Sequence, residues 1–344
     1  MIQAIQRYRE EWGERLLILG HHYQRTDIVS LCDAVGDSLE LSRLAAQSKA
    51  ERIIFCGVRF MAETADILVR DATGKACGRS VWLPAPTAGC PMADMATEAQ
   101  LEEAWADLTA AAPAQRWVPV VYVNSSAEVK AFCGRHGGSA CTSGNGHRVL
   151  KHFLDQGCKI LFAPDQHLCS NILRELGYPR SAVALWRRGI PHGGLSAERI
   201  AEARLIAWDG CCPIHASYTV QDVTSARAAH PGATLLVHPE APTAVAALAD
   251  RTGSTRGIID AIKRSEGGET FLIGTEQHLV DRLAQSEKSI TIHPLRPIVC
   301  DDMDRTTPEN LLRVLREWPE DCRIHVCDAQ VPDARACVER MLAL

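Results

Sequence analysis

Several absences bound this chain before any motif is read. Positive charge is not in surplus: 37 Lys and Arg stand against 42 Asp and Glu, a net charge of −5. That balance offers no basic surface for nucleic acid or an anionic membrane. No apolar run approaches the length of a membrane span. The opening stretch from Met1 to Glu10 is amphipathic and charged, without the apolar core of a secretory leader. These features predict a cytoplasmic protein with neither nucleic-acid nor membrane partners. No Cys-x-x-Cys pair occurs, which disfavours a zinc ribbon or a thioredoxin-type site. A glycine fingerprint for a dinucleotide and a Walker A loop are both missing. Low-complexity tracts are missing too, and with 46% hydrophobic and 23% charged residues the chain should be globular.

What is present is 344 residues, too many for one typical core and suited to two or three domains. Short apolar runs recur, each ending in a polar loop and followed by a helical pattern: Leu16–Gly20, Ile53–Cys56, Val81–Leu83, Val118–Val123, Lys159–Phe162, Thr234–Val237 and Thr270–Ile273. Such alternation implies α/β architecture with parallel sheets and crossover helices. Polar loops at the C-terminal ends of the strands are where open α/β sheets bind ligands. The pattern falls into three stretches of similar size, which predicts three α/β units with their loop ends facing a common centre. Residues 179–204, polar and marked by Gly and Pro, read as a surface insertion plus a helix.

Fourteen cysteines do not form a disulfide framework in a chain this long. Cys32, Cys56, Cys158, Cys169, Cys327 and Cys337 lie in apolar patterns and read as core. Three others close the three stretches: Cys90 in Thr87-Ala-Gly-Cys-Pro-Met-Ala93, Cys212 in Asp209-Gly-Cys-Cys-Pro-Ile-His215, and Cys300 before Asp301-Asp-Met303. Thiolates are the usual protein ligands of iron–sulfur clusters, and a neighbouring His handles protons near neutral pH. Adjacent cysteines alone are as well explained by one buried small hydrophobe beside one exposed thiol. His238-Pro-Glu240 places an imidazole and a carboxylate at a strand end, a general acid/base pair or simply a polar turn. Tyr122-Val-Asn124 sends two polar side chains to one face by the two-residue period. Ser38, Ser143 and Ser254-Thr255 sit at helix starts, Ser38 as the expected N-cap. Several such starts facing inward would suit a small polycarboxylate.

Taken together, His21-His-Tyr-Gln24, Gly36-Asp-Ser-Leu-Glu-Leu41, Phe60-Met-Ala-Glu-Thr-Ala65, Gly89-Cys-Pro-Met-Ala93 and Tyr122-Val-Asn124 resemble the quinolinate synthase family, in its longer-chain branch. Cys141-Thr-Ser143, Pro164-Asp-Gln-His-Leu168, Gly210-Cys-Cys-Pro-Ile-His215, His238-Pro-Glu240, Gly253-Ser-Thr255, Thr275-Glu276 and Cys300-Asp-Asp-Met303 continue the likeness in family order. The resemblance implies three pseudo-symmetric, three-layer αβα domains with short parallel sheets around a central iron–sulfur site. Their expected bounds are 1–92 plus about 302–344, then 93–208, then 209–301. It implies a [4Fe–4S] cluster on Cys90, Cys212 and Cys300, with one iron left open as a Lewis acid. The implied reaction condenses iminoaspartate with dihydroxyacetone phosphate to quinolinate, releasing phosphate and water. An L-aspartate oxidase or dehydrogenase would be the transient partner supplying iminoaspartate.

By the same resemblance, Tyr23, Tyr122, His238 and Glu240 would be catalytic. His21, Ser38, Tyr122, Asn124, Ser143, His238, Glu240, Ser254 and Thr255 would bind substrate. Two positions depart from the pattern. Ala241 stands where the family often has Cys after His-Pro-Glu, and Cys211 fills a position that is not a ligand. A diphthamide-type three-cysteine iron–sulfur enzyme and a non-catalytic iron–sulfur sensor are the competing readings. The first would need a site for S-adenosylmethionine and the second would bind a cluster without turnover.

Overall fold

The structure, a computed structural model, describes residues 1–71 and 73–344. It is α/β, with three short sheets. The first third of the chain contributes strands β1 (Leu16–His21), β2 (Ala34–Gly36), β3 (Arg52–Cys56) and β4 (Ser80–Trp82). The middle contributes β5 (Trp117–Tyr122), β6 (Ser139–Cys141), β7 (Lys159–Ala163), β8 (Val183–Trp186) and β9 (Leu205–Trp208). The last sheet holds β10 (Thr234–Val237), β11 (Arg251–Thr252), β12 (Thr270–Gly274) and β13 (Thr291–Pro294), while β14 (Arg323–Ile324) returns to the first. The central strands are continuous apolar runs, as strands covered on both faces must be; every residue of β5 and β7 is buried.

Strand order is β14-β4-β3-β1-β2 in the first sheet, β6-β5-β7-β9-β8 in the second and β11-β10-β12-β13 in the third. In each, the first strand lies between the second and the third, so the winding reverses beside it. That reversal point is where an open parallel sheet leaves a crevice at its C-terminal edge. Pairing is parallel throughout, except that β14 runs antiparallel to β4.

Four expectations are corrected. Asp37, not Ser38, caps the helix Ser38–Gln47: its carboxylate accepts the N–H groups of Leu39 and Glu40, and Glu40 reciprocates on the Asp37 N–H. A carboxylate one residue ahead competes better for the first free N–H groups and leaves Ser38 in the first turn. Cys327 is exposed rather than core, and Cys32 is only half-buried. Residues 179–204 are more than a surface excursion, since β8 within them adds a parallel edge strand to β9. Besides these corrections, the segment Pro297–Val299 before Cys300 is irregular, and Cys300 opens the short helix Asp301–Asp304.

The C-terminal helix Val331–Ala343 lies across the helix Ala127–Arg135. A Cβ on Gly134 would fall 1.9 Å from the Asp333 carbonyl oxygen, so only glycine admits that crossing. Asn145 adds a 3.0 Å bond to the Met341 carbonyl. The tail therefore touches the first sheet through β14 and helices beside the second sheet through both ends of its last helix. No helix among the described residues is long and apolar enough to cross a membrane.

Candidate active site

The three sheets deliver comparable parts to one cavity of about 200 Å³. After each first strand comes a polar pair spaced by one residue: His21 and Tyr23 after β1, Tyr122 and Asn124 at the end of β5, His238 and Glu240 after β10. After each second strand comes a hydroxyl: Ser38, Ser143 and Thr255. All nine line the cavity. So do Cys90, Cys212 and Cys300. Ser254 does not; its hydroxyl caps the helix Thr255–Lys263 by accepting the Gly257 N–H at 3.1 Å.

A chain of buried hydrogen bonds crosses the cavity wall. Thr255 Oγ1 donates to the Tyr23 hydroxyl at 3.0 Å, and that hydroxyl lies 2.8 Å from Thr275 Oγ1. Thr275 Oγ1 is 3.1 Å from His215 Nε2, and His215 Nδ1 is 2.6 Å from Glu240 Oε2. The Tyr122 hydroxyl donates to Glu240 Oε1. One arrangement of these bonds has His215 donating from Nδ1 to the carboxylate and accepting at Nε2 from Thr275. Tyr23 and Tyr122 are thereby joined through a continuous line of buried groups.

Burial sets the charge states. It pushes the Tyr23 and Tyr122 hydroxyls well above their ordinary range, so both keep their protons. It also pulls His21 well below and His238 down to about 3, with His215 adding to the second. The two imidazoles make the same turn: His21 Nδ1 accepts the Tyr23 N–H at 3.1 Å, and His238 Nδ1 accepts the Glu240 N–H at 3.3 Å. A neutral ring that accepts at Nδ1 carries its proton on Nε2, a donor suited to a carboxylate oxygen. Burial works against the Glu240 carboxylate. Hydrogen bonds from His215 and Tyr122 outweigh it and hold Glu240 ionised. His215 and His238 stack with ring centroids 4.3 Å apart.

The cysteine loops share a local design. Each sulfur faces backbone N–H groups two or three residues ahead: Met92 and Ala93 for Cys90, His215 for Cys212, Asp302 and Met303 for Cys300. Burial nevertheless raises the thiols, to about 12 for Cys90 and about 11 for Cys300. No Lys or Arg is among the described residues lining the cavity, so thiolates there call for a metal's positive charge. A single ion bound at about 2.3 Å would need its thiolates within roughly 4 Å of one another. Among the described residues, only Cys212, His215 and Glu240 gather ligand atoms within 4.8 Å. Cys90, Cys212 and Cys300 are thus not gathered closely enough to hold one ion together. In the Cys212, His215 and Glu240 group, both nitrogens of His215 and both oxygens of Glu240 already have protein partners. Cys211 lies outside the cavity lining, its N–H directed at Met95 Sδ at 3.4 Å.

Thr275, Glu276 and Asp165 were given no role in the site from sequence, and His215 only that of a proton-handling neighbour of the cysteines. His215 carried a signal, lying three residues past Cys212; Thr275 needed the fold, because its hydroxyl acts only by meeting Tyr23 and His215 from another sheet.

Parallel sheets with their strand ends on a cavity of thiols, hydroxyls and an imidazole–carboxylate pair define an α/β enzyme with the makings of a metal centre. The chain belongs to the family described as quinolinate synthetase A protein, whose pattern it matches over residues 3–343. It is 45% identical over 304 residues to a quinolinate synthase of Rhodopirellula baltica, covering 87% of this chain and 78% of that protein. To the quinolinate synthase of Streptomyces coelicolor it is 42% identical over 345 residues, 98% of this chain and 86% of the relative. The Corynebacterium glutamicum enzyme of the same name is 40% identical over 348 residues, 99% and 87%.

Proposed function

We propose that this protein is a quinolinate synthase of NAD biosynthesis, condensing iminoaspartate with dihydroxyacetone phosphate and releasing phosphate and water. The observation that carries this reading is the meeting of three cysteine loops, three inward hydroxyls and one buried proton chain on a single cavity. Cys90, Cys212 and Cys300 would hold a [4Fe–4S] cluster. When bound, it would supply an iron without a protein thiolate, a Lewis acid toward substrate oxygen.

The chain's own residues account for the rest. Iminoaspartate and quinolinate are dicarboxylates. The neutral His21 ring and the hydroxyls of Ser38, Ser143 and Thr255 would donate to their oxygens from three sides, with Asn124 beside them. Neutral donors suit a buried dianion because they need not be stripped of a full charge's hydration. Loss of water and closure of the pyridine ring require protons to leave carbon and nitrogen and arrive on oxygen. Tyr122 and Tyr23 stand at the two ends of a chain able to pass them, with Glu240 holding His215 in the tautomer that keeps Nε2 as an acceptor. Val58, Phe60, Met61 and Met92 form the apolar wall that keeps bulk water from the reacting imine.

The order of the strands supports three related units around one centre, with the bounds 1–92 plus 302–344, 93–208 and 209–301. Each unit would give one polar pair, one hydroxyl and one cysteine. Iminoaspartate is unstable in water, so supply by an aspartate-oxidising partner in the cytoplasm fits a site of this kind. Anaerobic purification followed by iron and sulfide analysis and a quinolinate assay on the same preparation tests the reading. A preparation with a full cluster and no turnover on iminoaspartate and dihydroxyacetone phosphate would overturn it in favour of the non-catalytic sensor.

A further inference from the structure

Each cysteine loop is held by a carboxylate from elsewhere in the chain. Asp165, at the end of β7 and wholly buried, accepts the Cys212 N–H on Oδ2 at 3.2 Å. Its Oδ1 accepts the Leu168 N–H at 2.7 Å and caps the helix Gln166–Glu175. Glu276, beyond β12 and also wholly buried, repeats the arrangement. Its Oε1 accepts the Cys300 N–H at 3.4 Å, and its Oε2 accepts the His278 N–H at 2.8 Å at the start of the helix Gln277–Ser286. Asp302, two residues past Cys300, reaches the third loop and accepts the N–H of Gly89, the residue before Cys90, at 3.1 Å. Gly210 lets the Cys212 loop come this near: a Cβ there would fall 2.4 Å from the Pro164 carbonyl oxygen, and Asp165 and Gly210 form a parallel bridge.

Resting on the cluster ligands proposed above, we infer that Asp165, Glu276 and Asp302 are positioning residues that fix the three cysteine loops in their metal-holding arrangement before any metal is bound. Helix caps normally satisfy only their own helix. Two of these carboxylates face both ways, one oxygen on the helix and the other on a cysteine N–H. A buried peptide N–H without an acceptor is costly, so each loop has one stable place to sit. Asp302 then ties the Cys300 loop to the Cys90 loop, so two of the three loops move only together. Outer groups that orient metal ligands typically alter metal affinity by about 10–100-fold when removed.

The test separates the cap from the clamp. Asp165→Ser keeps an N-cap oxygen for the helix but is too short to hold Cys212 as well. Asp302→Ala removes the acceptor of the Gly89 N–H from a half-buried position without touching a helix cap. Both variants and Cys212→Ser are purified anaerobically with iron, and release of iron to a ferrous chelator is timed. Thermal melting of the metal-free proteins is recorded alongside. We expect iron release at least about tenfold faster in the two carboxylate variants, melting within a degree or two of the parent, and no retained iron in Cys212→Ser. Parent-like release in both carboxylate variants, with Cys212→Ser empty, overturns the clamp. Faster release matched by an equal loss of melting temperature also counts against it, because an ordinary structural role would move both. If Asp165→Ser does not fold, Asp302→Ala decides alone. Iron retained at parent level by Cys212→Ser would instead bring down the ligand assignment itself.

Discussion

Glu240 has both oxygens committed, one to Tyr122 and one to His215, and this decides what its replacement does. Glu240→Gln keeps the length and shape, but one oxygen becomes an N–H₂ that can only donate. Either Tyr122 or His215 Nδ1 then faces a donor, and His215 loses the constraint on its tautomer. General acid/base contributions are about two to four orders of magnitude, so turnover should fall a hundredfold or more while iron content and binding of a dicarboxylate product analogue stay near parental. Quinolinate formation and iron analysis on one preparation measure this; near-parental turnover would leave Glu240 a structural residue. The cysteine doublet makes a second residue-scale test. Cys212 lines the cavity while Cys211 points its N–H away at Met95. Cys211→Ser should keep its iron, sulfide and visible absorption, and Cys90→Ser, Cys212→Ser and Cys300→Ser should each lose them. The opposite result for the doublet would show that the ligand register is off by one.

Among the elements, the strands that are apolar runs were readable, the three-residue β4 included, and short strands without such a run were not. β1, β3, β5, β7, β10 and β12 are apolar runs bounded by Gly or polar turns, and period and length suffice to find them. β2, β6, β11 and β13 have two to four residues each and no apolar run to mark them. They exist because a longer strand beside them offers its free edge. β8 hid inside a polar stretch for the same reason. The site was legible where chemistry is local, as in His238-x-Glu240 or Cys212-x-x-His215, and illegible where it is made by convergence, as with Thr275 or Asp165. Helix crossings were also out of reach, and Gly134 shows why: nothing in the sequence says that Asp333 will lie on top of it. Gly134→Ala should gain about 1 kcal/mol of helix propensity but must force the crossing helices apart, a strain that no side-chain rotation can relieve. Overpacking of this kind costs about 1–3 kcal/mol, and against a rigid carbonyl the upper end applies. A net loss of about 1–2 kcal/mol in denaturant unfolding is expected from these magnitudes; equal or greater stability would mean that the tail helix is free to slide.

For the molecule as a whole, the buried histidines tie stability to pH. Burial, helped by Arg282, Arg256 and Lys263, lowers His22 to about 4, and burial lowers His21 and His238 as well. The unfolded chain protonates these rings near pH 6.5, whereas the folded chain resists until much lower pH. Between those values the unfolded state binds more protons. Their stabilising contribution is therefore complete above pH 6.5 and is lost as the pH falls toward 4 and below. Glu240, held low, adds a loss of the same sign below its ordinary carboxylate range. Other groups act oppositely: burial raises Asp37, Asp66 and Asp165, so the folded chain takes up protons there first, and Glu276 raises His278. A raw acid-unfolding curve sums all of these, and a single substitution isolates one. His22 lies outside the cavity lining, and its Nε2 has no hydrogen-bond partner, so His22→Gln should fold and keep the site. Each pH unit separating the folded and unfolded titrations is worth about 1.36 kcal/mol, so the parent should lose up to about 3 kcal/mol more stability than His22→Gln between pH 7 and pH 4. Denaturant unfolding of both proteins, at pH steps across that window and handled alike so that metal loss is common to both, gives the difference directly. Parallel curves would mean that the His22 ring is solvated in the folded chain and that the turn from His21 to Gln24 is looser than its bonds to Arg282 indicate.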